Sequence, residues 1–322
     1  MTLYERIVNE TQMENYMANR GLYAMGGSPI KMSSKLAAPY NEQIENLVKQ
    51  IKEAEIIIVG GASGLSAAGG GDFYYENNDS YKKYFGKYEK KYGFKGAFAG
   101  TFAHWNKREG FWGYLITFLH TTINAEVRKP YLDLDKLIKN KEFFILTTNQ
   151  DTQFVKLYPE SKVAEIQGDH RFFQCSKACC DMTWDSVDIV NSLYDEMGDS
   201  LEIPKNLIPR CPVCGAEAFP WVRGYGNFLT ETKYNREYAK ISDFLEKNMN
   251  KKILFLELGV GRMTPMFIQE PFWQLTKKLE NSYYISINNK YDFLPEAIED
   301  RGMVIVDDIA KVLEDAVKKF EA

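Results

Sequence analysis

The chain has 322 residues, 45% hydrophobic and 26% charged, with 40 basic against 44 acidic side chains and a net charge of −4. This is ordinary soluble-globular composition, and its near-balanced charge excludes a global field that would favour nucleic acid or a membrane. The length suits one large domain, or a large domain with a smaller one inserted.

The first residues, Met1–Arg6, carry no apolar signal core, and the longest apolar runs, such as 56–59, are far too short to span a bilayer. Residues 1–40 are weakly patterned and read as an N-terminal extension, either a helical preamble or a mobile one. Ile44, Leu47, Val48 and Ile51 then recur at helical spacing, predicting an amphipathic helix over 41–54. The β-branched run 55–59 predicts a buried parallel strand, and Gly60-Gly61-Ala62-Ser63-Gly64 follows it directly. Strand, glycine turn and small residues open a nucleotide-binding β-α unit, although a plain tight turn fits the glycines equally well on their own.

Short apolar runs at 143–147, 162–166, 253–256, 283–287 and 303–306 predict further strands. Helical patterns at 131–140, 236–249, 266–280 and 308–320 lie between most of them. The alternation implies an α/β fold: a doubly wound, parallel Rossmann-like sheet. Two stretches interrupt it and are expected to form a smaller inserted lobe. Residues 74–125 are aromatic-rich and helical, without a strand run, and residues 170–225 carry every cysteine. The large domain is then 41–73, 126–169 and 226–322.

Cys175-x-x-x-Cys179 and Cys211-Pro-Val-Cys214 form two thiolate pairs, the pattern of a four-coordinate structural zinc with no open position for water. Cys180 is an alternative to Cys179. An odd cysteine count confined to one stretch argues for metal rather than disulfides, and the cytoplasm is the expected compartment. Thr147-Thr148-Asn149-Gln150-Asp151 ends a strand, where open α/β sheets place ligand-contacting groups and where capped turns also occur.

These elements in this order resemble a sirtuin. Gly60–Phe73 resembles the family's Gly-Ala-Gly-x-Ser to Gly-Ile-Pro-Asp-Phe-Arg motif, with Asp72 and Phe73 matching its end and Gly71 and Tyr74 standing for its Pro and Arg. The resemblance implies that Gly61, Ala62 and Ser63 hold the NAD pyrophosphate, with Asp72 and Phe73 beside the nicotinamide. Asn149 and Asp151 match the Thr-Gln-Asn-Ile-Asp motif, whose Asn contacts the nicotinamide ribose and whose Asp holds the carboxamide; Gln153 and Phe154 depart from its continuation. Gly259 matches the loop that holds the adenosine phosphate or ribose, with Gly261 replacing its Ser. Asn288 matches the residue that binds the adenosine ribose, and Asp307 falls near the adenine. Arg223 stands near a usually apolar position of the acyl-peptide groove. This suggests a polar or anionic element in the target, or equally a plain surface arginine.

Gln167 of Glu165-Ile166-Gln167-Gly168 stands where deacylating sirtuins have a histidine base. An amide can orient a ribose but cannot accept the proton. His170, three residues on, reads more simply as a histidine at the edge of the zinc lobe than as a displaced base. His104 and His120 have no motif context. The Gln167 exchange, the Ala-Ala-Gly loop and the cysteine pattern look like the class M, macrodomain-linked sirtuins. That resemblance implies a protein mono-ADP-ribosyltransferase consuming NAD, acting on a lipoylated glycine-cleavage-H-like carrier and partnered by a macrodomain ADP-ribosylhydrolase. The alternatives are a sirtuin deacylase or delipoylase, an NAD glycohydrolase, and a non-catalytic NAD-binding module.

Overall fold

The computed structural model describes residues 1–322 apart from 26, 28, 71–77 and 225. The chain opens with a helix rather than an unstructured arm. In α1 (Leu3–Asn19) Thr2 and Glu5 form a capping box, and Tyr4, Ile7, Val8 and Thr11 form a short buried stripe. Polar neighbours hide this stripe in the sequence. The Tyr4 hydroxyl donates to the Phe267 carbonyl (2.8 Å) and its amide to Ser242 Oγ (3.0 Å), seating α1 on the large domain.

α2 (Tyr40–Glu53) leads into β1 (Ile56–Gly61), buried at every position, and then into the short α3 (Ser63–Ala68). α4 (Asp79–Tyr92), α5 (Ala97–Thr101) and α6 (Arg108–Ile123) form the helical insertion. α7 (Lys129–Ile138), β2 (Glu142–Thr147), α8 (Gln153–Leu157) and β3 (Val163–Glu165) return to the large domain. β4 (Gly168–Cys175), β5 (Thr183–Asp185), α9 (Val187–Met197) and β6 (Ala218–Val222) build the cysteine-bearing module. α10 (Thr232–Asn248), β7 (Ile253–Leu258), α11 (Gln269–Lys278), β8 (Ser282–Asn288), β9 (Gly302–Val306) and α12 (Ile309–Glu321) complete the chain. The helix expected over 266–280 is shorter at both ends, because Pro265–Phe267 form a separate 3-10 turn before it.

The large sheet runs β3-β2-β1-β7-β8-β9, with every pairing parallel. Chain order therefore runs outward from β1 in one direction and from β7 in the other, so the sheet reverses between those two strands. One face is covered by α2, α7 and α12. On α12, Ile309, Val312, Leu313, Ala316 and Val317 recur at helical spacing and bury into that layer. The other face carries α1, α10 and α11, with Tyr238, Ile241, Leu245, Phe272 and Trp273 in its core. A second, antiparallel sheet, β5-β4-β6, packs against α6 and α9 around Trp112, Tyr114, Leu119, Phe173 and Val190.

Candidate functional site

The parallel register aligns the C-terminal strand ends: Gly61 sits beside Thr147 and Leu258, Thr147 beside Glu165, and Leu258 beside Ile287. Asn149, Ala62, Gly259 and Gln167 follow these ends within two residues, and Asn288 and Asp307 stand at the ends of β8 and β9. The sheet thus brings together most of the residues singled out in the sequence, along the edge where doubly wound proteins bind dinucleotides.

At the reversal between β1 and β7 two loops meet backbone to backbone. The Gly64 amide donates to the Gly259 carbonyl (2.9 Å), and the Ala62 amide donates to the Leu258 carbonyl (3.0 Å). A Cβ on Gly64 would lie 2.7 Å from Gly259 Cα, and Gly259 itself has φ +72°. Glycine is therefore required on both sides of this contact. Ser63 and Gly261 flank the contact: a Cβ built on Gly261 would lie 3.9 Å from Ser63 Oγ. Asp72 and Phe73 lie outside the described residues.

Asn149 and Asp151 are held in part by Tyr131 and Arg128, which no motif marks. The Asn149 amide nitrogen donates to the Ala62 carbonyl (2.9 Å) and to the Tyr131 hydroxyl (3.3 Å), while its backbone amide donates to Thr147 Oγ1 (2.9 Å). The Tyr131 hydroxyl donates in turn to Asp151 Oδ2 (2.7 Å). Asp151 Oδ1 accepts from the Gln153 amide (3.2 Å), and the Arg128 guanidinium approaches Oδ2 at 4.0 Å. Arg128 also donates to Ser66 Oγ (3.2 Å), tying the glycine-turn helix to the same turn. Thr152 has φ +60°, a conformation that β-branched residues rarely adopt, and its hydroxyl is bonded to the Thr122 carbonyl (3.2 Å). Gln150 and the sequence departure at Gln153 are structural as well. Gln153 bonds the Arg128 amide and the Glu126 carbonyl, and Gln150 donates to the Gln167 carbonyl (2.9 Å).

Gln167 is buried, and its amide nitrogen has no hydrogen-bond partner among the described residues. Such an orphaned donor normally costs free energy, so a polar ligand group facing it satisfies a need of the fold. Gly168 follows with φ +95°, and a Cβ there would meet the Trp221 carbonyl oxygen at 2.1 Å. Glycine is fixed at that point because the module's sheet closes directly on it.

His170 lies on β4 beneath the Phe118 ring (5.2 Å between centroids). Burial pushes its imidazole down to about 4, so it is neutral near pH 7. Its Nδ1 lies 2.7 Å from the Gln150 carbonyl, which can only accept. The proton is therefore on Nδ1, and the buried Nε2, which has no partner among the described residues, carries a lone pair. His120 stacks on Tyr194 at 3.7 Å, away from this cluster.

Asn288 is buried, with its side chain bonded both to the loop after β7 and to its own loop after β8. Nδ2 donates to the Val260 carbonyl (2.9 Å), and Oδ1 accepts from the amides of Lys290 and Tyr291. Asp307 is partly exposed, paired with Lys311, and accepts from the Asp308 amide (2.8 Å). Arg223 bonds the Gln167 carbonyl through its backbone (2.9 Å), and its exposed guanidinium lies over Phe228, Tyr234 and Phe267.

Cys175, Cys179, Cys211 and Cys214 place their sulfurs within 4.8 Å of one another. The Cys175–Cys214 and Cys179–Cys211 pairs stand at 3.6 Å. Tetrahedral zinc with ~2.3 Å bonds requires sulfurs about 3.8 Å apart, so the four thiolates fit the ion and Cys180 lies outside the set. The left-handed residues Ala178 (φ +48°) and Gly215 (φ +70°) turn the two knuckles back on the cluster.

No protein-family model matches the chain. It is similar to a protein ADP-ribosyltransferase of Staphylococcus aureus strain Mu50, 29% identical over 297 residues that cover 91% of this chain and 93% of that protein. It is also similar to a probable bifunctional ADP-ribose hydrolase/ADP-ribosyltransferase of Fusarium oxysporum f. sp. cubense, 26% identical over 178 residues. That match covers 53% of this chain and 30% of that protein. Among solved structures, Sir2 bound to an acetylated peptide superposes with a TM-score of 0.53 at 12% identity, and Sir2Tm bound to a propionylated peptide with 0.52 at 14%. Each match covers 86% of this chain and 98% of the other. The chain has the sirtuin fold and is similar over nearly its whole length to a protein ADP-ribosyltransferase.

Proposed function

We propose that this chain transfers ADP-ribose from NAD to a protein side chain and releases nicotinamide. It would act in the cytoplasm as a class M sirtuin on a lipoylated carrier, with a macrodomain partner reversing the modification. The observation that carries this reading is Gln167: the position expected to hold a base presents a buried amide nitrogen with no partner among the described residues. The near full-length similarity to an ADP-ribosyltransferase supports the same reaction class, and the glycine contact at the sheet reversal fits NAD as co-substrate.

In the transfer, the bond between ribose C1′ and the nicotinamide nitrogen breaks, its electron pair leaving with neutral nicotinamide. An acceptor side-chain atom forms the new bond to C1′, and any proton on that atom passes to solvent. Gln167 donates to a ribose hydroxyl, Asn149 accepts from one, and Asp151 accepts from the carboxamide. Positioning of this kind needs no internal base. Gly61, Ala62 and Ser63 border the pyrophosphate, Gly259 and Gly261 the adenosine side, and Asn288 and Asp307 shape its far end. Zinc on the four cysteines is structural: it ties β4 to the turn before β6.

Deacylation with His170 as base is the second reading, favoured by the bare Nε2. A group held near 4 is a weak base at neutral pH. Incubation with NAD labelled in its adenylate half and a glycine-cleavage-H-like carrier, lipoylated or not, tests the proposal. Label on the lipoylated carrier with equimolar nicotinamide is expected. Acyl-lysine deacylation without protein labelling would overturn it, as would free ADP-ribose as the sole product.

A further inference from the structure

We propose that Tyr131 is a positioning residue, whose phenol locks the Asn149 amide with Oδ1 toward the co-substrate and holds Asp151 beside it. The role rests on the NAD-dependent reading above. The direction of each bond follows from valence. Asp151 Oδ2 is a carboxylate oxygen and can only accept, so the single phenol proton lies on the 2.7 Å bond to it. Toward Asn149 the phenol oxygen must then accept, which requires Nδ2 at that end of the amide (3.3 Å). The Ala62 carbonyl takes the second hydrogen of the same nitrogen (2.9 Å).

Rotating the amide by 180° breaks both bonds and sets Oδ1 against a carbonyl. Among the described residues no donor bonds Oδ1, which is left as the acceptor that Asn149 offers a ligand. Burial, reinforced by Asp151, holds the Tyr131 phenol well above its ordinary 10, so it remains a donor throughout the working pH range.

The device is rigid. The Tyr131 ring is fully buried and meets Phe154 edge-on at 4.9 Å between centroids. It stands in the first turn of α7, whose N-cap Arg128 reaches both Asp151 and Ser66. One helix turn thereby orients both Asn149 and Asp151, and it couples them to the glycine turn. Phe154 also closes over Gly61, where a Cβ would lie 2.5 Å from its ring.

Tyr131→Phe keeps the ring and removes only the hydroxyl. Nicotinamide release should fall in kcat by roughly 10- to 100-fold, while KM for NAD moves less than about threefold, because orientation rather than binding is lost. In the NAD-free protein, the Asn149 side-chain amide protons, resolved by nitrogen-15 NMR, should exchange slowly in the wild type and at least about tenfold faster in the variant. A variant with kcat within about twofold of wild type, or with unchanged amide exchange, overturns the inference. A wild type that binds no NAD overturns the functional reading alone, since amide exchange still decides the role of Tyr131.

Discussion

A single methyl group distinguishes a nucleotide cradle from an ordinary helical turn in this chain. Gly64→Ala and Gly86→Ala are the same substitution in two helices, and intrinsic propensity favours both by about 0.5–1 kcal/mol. At Gly86 the new Cβ would meet only Lys82 Cβ, at 3.9 Å, so the propensity gain should appear as added stability. At Gly64 it would lie 2.7 Å from Gly259 Cα and 2.8 Å from the Gly259 carbonyl oxygen, and neither backbone atom can swing aside. Relief to ordinary contact requires the β1 and β7 loops to part by about 1 Å. Overpacking of this kind costs roughly 1–3 kcal/mol, leaving a net loss of up to about 2.5 kcal/mol after the propensity gain. The 2.9 Å amide bond across the reversal is lost with it. Denaturant midpoints at fixed zinc should therefore move in opposite directions for the two variants. Calorimetry should show NAD affinity falling about tenfold or more for Gly64→Ala and unchanged for Gly86→Ala. A Gly64→Ala protein that matches the wild type in both stability and NAD affinity would refute the cradle.

Removal of Cys179 should abolish binding of one zinc per chain, while Cys180→Ser should retain it, as read by metal analysis after gel filtration; the reverse pattern would mean that Cys180 is the ligand. Two buried groups should oppose one another in the pH dependence of stability. Burial raises the Glu257 carboxyl from 4.5 to about 7, even though Tyr284, Ser286 and Gln269 all donate to it. Its contribution is full below pH 4.5 and is lost as pH rises through 7, about 3 kcal/mol in all. His170, depressed from 6.5 to about 4, contributes above 6.5 and loses a similar amount as pH falls through 4. Glu257→Gln should accordingly unmask stability that rises with pH, and His170→Gln stability that falls, in urea titrations between pH 4.5 and 7; parallel curves for the two variants would contradict this. Gln167→Ala should lower kcat for transfer by roughly tenfold or more with NAD affinity little changed, and an unaffected kcat would remove Gln167 from the site.

The parallel strands were legible because β1, β2 and β7 are buried on both faces and so read as unbroken apolar runs. The cysteine pairs were legible because metal chelation imposes spacing on a short stretch. Asn149, Asp151 and Gln167 stood out because each follows a strand end at a fixed offset. Tyr131 and Arg128 gave no such signal: they lie some twenty residues before Asp151, and only the helix-to-strand crossover carries them beside it. A tyrosine on a helix facing a sheet has the pattern of core, and here it is both core and polar contact. Glu257 was hidden for the converse reason, since its three donors come from two other elements. The α1 stripe is short enough to vanish among polar neighbours until α10 and α11 are in place.

The proposed function has the sirtuin fold carry out transfer rather than deacylation, with Gln167 standing where a base is expected. The most direct test is the product balance of NAD consumed with a lipoylated carrier protein present. One protein-linked ADP-ribose is expected for each nicotinamide released. Nicotinamide released together with O-acyl-ADP-ribose, and no ADP-ribose on protein, would contradict it.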